Sequence, residues 1–517
     1  MQDWTKQEDG HAHHPMLNPA SAAKLLAEVR TATPATAVNQ LSAWLGTIKA
    51  TGAHDERTRA EILSMIEEAA APHQSALFAQ LLGRPIEDRA TREANWKALV
   101  NYLTALTGAL HASVRALLTP AAAARCLHAC RMLTKACLFR YVSAPPKLWR
   151  LAYAVHESAE KAGCAATPVR IRGAQKTTTV THELLRLLML QASAPQMMSP
   201  AQIEVTDRVA DQMGEEFILR PRGVADGPFC FEPSSERPPR RAAGAQGDLR
   251  YFGPGTAFDS LQRMHKQLLT TNTTDIKAFG RDIAPHAQVS AIEHLLAFWA
   301  PASPYSPPAR SPATGQLAVV HRYAHIWQHI SQARSAMHEL LSLAQTGDNT
   351  PAPLEMWDLQ HLGGNEVGAQ IGPSGDWAQC GDLVSVSIDG KDECCLGFIR
   401  SMHAEPGRTA HANIAILTRQ PQAVELYAVA SKEEKTMYSA EAARQFAFNC
   451  VRAIIVSDDA VASQKPTLLL PLEAWKAARV YEVMVKGATR YLRIGERLQR
   501  GDDYVRATFE WVVAPSS

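Results

Sequence analysis

Few residues in this sequence have the types and spacing that chemistry needs. His182-Glu183-Leu184-Leu185-Arg186 begins like a helical zinc motif. That motif needs a second histidine four residues on, so that both rings face one metal, and Arg186 stands there instead. Cys126, Cys130 and Cys137 fall near one apolar helical face beside Leu133, while His128 points elsewhere. Buried cysteine packs as a small hydrophobe, so these three read as core. Cys394 and Cys395 are strand neighbours whose side chains point to opposite faces. The N-terminal "GHAHHP" reads as part of a mobile tail. No Walker loop, dinucleotide fingerprint, Gly-x-Ser-x-Gly elbow or paired-carboxylate signature occurs. The expectation is therefore a non-enzyme with no catalytic residues, no metal and no resident cofactor. What remains is "EMWDLQHLGGNEVGAQI", Glu355 to Ile371, which puts an aromatic, a histidine and several glycines before a strand-rich run. It is either a ligand-binding loop or a tight connection between strands.

The elements that would position such residues follow from composition and period. The chain has 517 residues, 46% of them apolar, enough for several cores. Its net charge of +2 sets up no global field for nucleic acid or a membrane, and neither is expected as a partner. No signal-type leader and no run of about 18 apolar residues is seen. Nine irregularly spaced cysteines suit a reducing compartment, and the chain reads as cytoplasmic.

After a flexible tail over 1–17, residues 18–200 read as an all-helical bundle or array. Ile62, Leu63 and Ile66 recur at helical spacing, and Trp96, Leu99, Val100, Leu103, Leu106 and Leu110 share one face. Residues 201–300 are mixed, with short β-prone pieces and two helices. A proline-rich arm or linker spans 301–315, with five prolines from Pro301 to Pro312. A small antiparallel β-barrel is expected over 316–430 and a second small β module over 431–517. Asp389-Gly390 and "KGAT" mark hairpin turns. The fold class is α+β multidomain.

The aromatic, the strand, the turn of polar and small residues and the barrel opening at "GDLVSV" together resemble the PilZ domain. This small bacterial β-barrel binds the second messenger cyclic di-GMP in many of its members. The order of a helical region, a proline-flanked arm and a barrel is also similar to long proteobacterial PilZ-like proteins, with residues 305–428 carrying the recognisable part. The resemblance implies a signature in two parts, Arg-x-x-x-Arg on the arm and Asp/Asn-x-Ser-x-x-Gly in the turn. Guanidinium forks pair with phosphate or with guanine O6 and N7, the acid and hydroxyl read the base edge, and glycine lets the backbone approach. Here Arg310 has Thr314 four residues on. His361, Gly363 and Glu366 stand where the family has Asp, Ser and Gly, while a shifted register uses Asp358, Gln360 and Gly363. Arg237 and Arg241 of "RPPRR" satisfy Arg-x-x-x-Arg far from the turn, and Arg322 is a further donor. Trp357 reads as core.

The implied ligand-binding residues are thus Arg310, His361, Gly363, Arg322, Arg237 and Arg241. The implied function is a cyclic di-GMP effector, a regulatory signalling protein whose helical region contacts a protein partner. The alternative is a degenerate PilZ adaptor that binds proteins without nucleotide.

Overall fold

A computed structural model describes residues 16, 18–50, 55–83, 88–171, 177–221, 227–271, 279–302, 310–335, 353–372, 374–388, 394–405, 409–429, 450–456, 466–485 and 487–514. The histidine-rich tail, the Asp389-Gly390 turn and residues 303–309 of the proline-rich arm lie outside these residues. The chain divides into two compact units, Met1–Ser306 with Ala404–Pro406, and Pro307–His403 with Gly407–Ser517.

The first unit holds helices α1 (Pro19–Val29), α2 (Pro34–Ala50), α3 (Glu56–Leu82), α4 (Arg89–Ala116), α5 (Pro120–Leu138), α6 (Pro146–Lys161), α7 (Val180–Ala192), α8 (Pro200–Met213), α9 (Ala257–Thr271) and α10 (Pro285–Trp299). Their starts are written in the sequence. The side chains of Asn18, Asp55, Asp88, Thr119, Thr179 and Ser199 each accept from the first-turn backbone N–H groups of the following helix. An N-cap oxygen of this kind contributes about 1 kcal/mol. Of the predicted stripes, Ile62, Leu63 and Ile66 on α3 and Leu99, Leu103, Leu106 and Leu110 on α4 are buried, while Trp96 and Val100 are half-buried. Helix α5 is buried nearly all round, which makes it the central helix of the unit.

Two small sheets complete the described part of this unit. β1 (Val169–Arg170) pairs with β2 (Thr177–Thr178), and a four-stranded sheet has the order β3 (Ile218–Leu219), β6 (Arg250–Gly253), β4 (Phe229–Phe231), β5 (Arg240–Arg241). Residues 201–300 continue the packing of the helices before them. Gln202 Nε2 donates to Ser290 Oγ at 2.8 Å, and Arg208 forks onto Asp282 at 2.8 and 2.6 Å.

Inside the unit, α5, α7 and α8 are joined by buried charges. Arg131 donates to Asp207 at 2.5 Å, and Lys135 Nζ reaches Glu204 at 2.9 Å and Asp207 at 2.7 Å. Glu183, 0% exposed, takes Arg186 at 2.6 Å and the Thr178 hydroxyl at 2.9 Å. Burial alone would raise the Glu183 and Asp207 pKa values. The His128 hydrogen bond, with Arg131 and Arg186, outweighs it at Glu183 and holds that carboxyl down at about 2, and Arg131 and Lys135 hold Asp207 lower still.

The second unit holds two closed antiparallel barrels. Strands β8 (Gln316–His321), β9 (Glu355–Gly363), β10 (Glu366–Gln370), β11 (Leu383–Ile388), β12 (Cys395–His403) and β13 (His411–Thr418) close the first in the order β10-β13-β12-β11-β8-β9. The short β7 (Arg310–Pro312) lies on the same edge of β9 as β8 does. Gly315, at φ 148°, and the bonds Ala313 N–H to Gln360 O and Leu359 N–H to Gly315 O carry the chain between them.

The second barrel has the order β14 (Gln422–Ala428), β15 (Cys450–Val456), β16 (Thr467–Pro471), β19 (Tyr504–Val512), β18 (Ala488–Arg500), β17 (Val480–Val485). Sequence reading ran the first barrel to residue 430. Strand β14 instead pairs with β15 and β17, so it is part of the second barrel. Its alternation is the same in either place, and only pairing decides membership. Helix α11 (Tyr323–Ser335) packs between the barrels. Tyr323 Oη donates toward the carbonyls of Arg452 and Leu469, and Ile326 and Ile330 are buried with Leu396 and Ile454. Among the described residues, no helix is long and apolar enough to cross a membrane.

Candidate functional site

The stretch Glu355–Ile371 is a hairpin. β9 and β10 pair across the two-residue turn Gly364-Asn365, whose carbonyls accept from Arg419 and from the Ile416 N–H. The stretch is a tight connection, and its side chains matter through the faces of the strands. Trp357, Leu359, Val367 and Ala369 point into the barrel with Ile414, and Trp357 is 0% exposed.

The opposite face carries the polar groups, in cross-strand rows. Arg310, Gly363 and Glu366 stand opposite one another, and Pro312, His361, Gly368 and Asn413 form the next row. Gly363 leaves no side chain between its neighbours, and Arg310 Nη2 reaches across to Glu366 Oε2 at 3.4 Å. A Cβ on Gly368 would fall within 2 Å of the His361 ring, so glycine is what seats the imidazole there. Asn413 Nδ2 donates to Ser401 Oγ at 2.8 Å and closes the row. Glu366 is only 1% exposed although it points away from the barrel core, whereas the Arg310 side chain is 37% exposed. Burial, and then Arg310, push the His361 pKa down from its ordinary 6.5, while Glu366 and Asn413 pull it up.

The fold thus brings together Arg310, His361 and Gly363 of the six residues singled out from sequence, and adds Glu366. Arg322 belongs to the far end of β8, about eleven residues along the sheet from the Arg310 row, on the order of 35 Å at about 3.3 Å per residue. It is exposed, with φ 66°, and its carbonyl accepts the Ile326 N–H at the start of α11. Arg237 and Arg241 are in the first unit. The Arg237 carbonyl accepts from Tyr153 Oη at 3.0 Å, and its side chain is exposed. The Arg241 guanidinium donates to the carbonyls of Phe298, Ala300 and Pro301 and lies over the Phe229 ring. These carbonyls end α10, so Arg241 caps that helix from β5.

One arrangement that sequence reading missed has the order of a nucleophilic trio. His156 Nε2 is 3.1 Å from Thr181 Oγ1, and its Nδ1 is 3.6 Å from Glu160, which takes Arg250 at 2.6 Å. The imidazole is 2% exposed and burial pushes its pKa down to about 4. Thr181 Oγ1 also lies 3.3 Å from Ala165 O. The trio ties α6 to the start of α7. Among the described residues no group of three or more His, Cys, Asp or Glu could hold a metal, and Cys126, Cys130 and Cys137 are buried free thiols.

Residues 20–222 match the family model described as "Cyclic-di-GMP receptor FimW, N-terminal domain". The matched span contains α1 to α8 with the buried charges. No curated protein and no solved structure matches the chain.

Proposed function

We propose that this chain is a receptor for cyclic di-GMP, and that its first barrel receives the nucleotide on the face carrying Arg310, His361 and Gly363. The observation that carries the reading is the match of residues 20–222 to the N-terminal domain of a cyclic di-GMP receptor family. The barrel's resemblance to PilZ and the convergence of three of its implied ligand residues on one face support it. An exposed guanidinium beside glycine-bearing strands offers a fork for phosphate and a plane for stacking on a purine. The receptor regulates by binding rather than by catalysis, and its helical unit carries the response to a protein partner.

Thr314 stands where the family has a second arginine. A missing charge-assisted bond costs about 1.5–3 kcal/mol, or roughly ten- to a hundredfold in affinity, so binding rests heavily on Arg310. Calorimetric titration of the full chain with cyclic di-GMP tests this. The Arg310→Ala chain is expected to bind at least about tenfold more weakly, while Arg241→Ala, which removes a helix cap, leaves affinity unchanged. No heat of binding at high nucleotide concentration would overturn the reading. A second reading, an adaptor that binds proteins without nucleotide, is favoured by the engagement of Arg310 with Glu366. It predicts a silent titration together with specific capture of a protein by the same chain.

A further inference from the structure

Two buried atoms on the candidate face lack hydrogen-bond partners, Glu366 Oε1 and His361 Nε2. The other carboxylate oxygen of Glu366 is the one that Arg310 meets. A buried carboxylate is tolerated when a cation faces it, and removing that cation leaves an uncompensated charge. Among the described residues Arg310 is carried on β7, three exposed residues paired only with β9. The cation is therefore the movable member of the pair and the carboxylate the fixed one.

We propose that Glu366 is a built-in competitor for Arg310: an anionic ligand captures the guanidinium only by displacing this carboxylate, and His361 then takes a proton from solvent to balance Glu366. The proposal rests on the reading that this face receives a nucleotide. Its geometry is the row arrangement itself. His361 is faced by Arg310 from β7, by Glu366 from β10 and by the uncharged Asn413 from β13. While Arg310 is close, the positive charge opposes protonation of the ring. Once a ligand phosphate neutralises Arg310, burial alone opposes the pull of Glu366 and Asn413. The imidazole pKa then rises from its lowered value toward its ordinary 6.5, and the ring takes up proton in that window. The site is thereby set to answer only to anions that outbid a carboxylate, and to bind them better as pH falls toward 6.

The test has a ligand-free arm and a ligand arm, both on the full chain. Without nucleotide, the His361 ring resonance is followed through a pH titration by NMR. Arg310→Ala is expected to raise its midpoint and Glu366→Gln to lower it. Absence of both shifts would overturn the coupling. With cyclic di-GMP, titration calorimetry at pH 6.5 in two buffers of different ionisation heat is expected to show proton uptake by the native chain. Glu366→Gln is expected to bind on the order of tenfold more tightly with that uptake abolished, and His361→Asn to lose the uptake. Equal or weaker binding by Glu366→Gln would overturn the competitor role and make the residue a bystander or a ligand contact. If neither chain binds the nucleotide although both ring shifts appear, the cyclic di-GMP reading fails and the Arg310–Glu366–His361 coupling stands.

Discussion

Arg131→Ala is expected to lower the stability of the helical unit by about 3–5 kcal/mol, the cost of breaking a buried ion pair from one side. Arg131 is 3% exposed and faces Asp207, Glu183 and Asp211, and the Asp207 carboxylate is shared with Lys135. Without the guanidinium, Asp207 keeps one cation and part of its negative charge stays buried uncompensated. The contrast is Lys97→Ala. Lys97 meets Glu93 at 3.3 Å with its side chain 62% exposed, and such a pair contributes about 0–1 kcal/mol. Guanidinium unfolding followed by helical circular dichroism would compare the two, because helix in the described residues is concentrated in the first unit. A loss for Arg131→Ala no larger than that for Lys97→Ala would show that the charges do not hold α5, α7 and α8 together. A double replacement, Arg131→Met with Asp207→Leu, is expected to recover much of the loss, since well-packed apolar residues often substitute for a buried pair.

The second large effect is acid destabilisation below pH 6.5. Burial pushes the His156 pKa from 6.5 down to about 4, with Glu160 opposing and Arg250 assisting. Between those two values the unfolded chain binds a proton that the folded chain refuses. Stability therefore falls as pH falls, by about 1.4 kcal/mol per pH unit, and by about 3 kcal/mol in all for this one ring. Above pH 6.5 both states are neutral there and the contribution is flat. His294, whose Nε2–H donates to Ser193 O at 2.7 Å and whose ring stacks on Phe298, is also pushed down to about 4 by burial and adds loss in the same window. Glu183 adds to it between its ordinary 4.5 and about 2, where the folded state holds the carboxylate ionised and the unfolded state does not. Unfolding free energies at pH 7, 5.5 and 4.5 are expected to show this slope, and His156→Gln to reduce it while the His294 part remains. An unchanged slope in that variant would place the acid sensitivity elsewhere.

Much of this architecture was legible before any coordinates. The N-cap residues at Asp55, Asp88 and Thr119 and the leucine stripe of α4 are local signals, and local geometry alone makes them work. The hairpin at "KGAT" is of the same kind, with Gly487 taking φ 77° between Val485 and Ala488. The candidate site was half legible. Arg310, His361 and Gly363 were singled out through a family pattern. The role of Glu366 as the partner of Arg310 was not, because that contact crosses from β7 over β9 to β10.

The sequence by itself determined which segments are helices, which are strands and which face of each is apolar, because side-chain direction repeats every 3.6 or 2 residues within a segment. Only the tertiary structure decided what meets across segments. Arg131 and Lys135, four apart on α5, carry no local mark of their partners, which α7 and α8 bring over them. Arg241 reads as half of a phosphate clamp until the end of α10 takes its guanidinium. Strand β14 reads as the last strand of one barrel until it pairs in the next. The physical reason is common to all three. A charge or a strand edge has no preferred partner in its own segment. Its partner is chosen when distant segments are brought together and the whole set of buried polar groups must be satisfied at once.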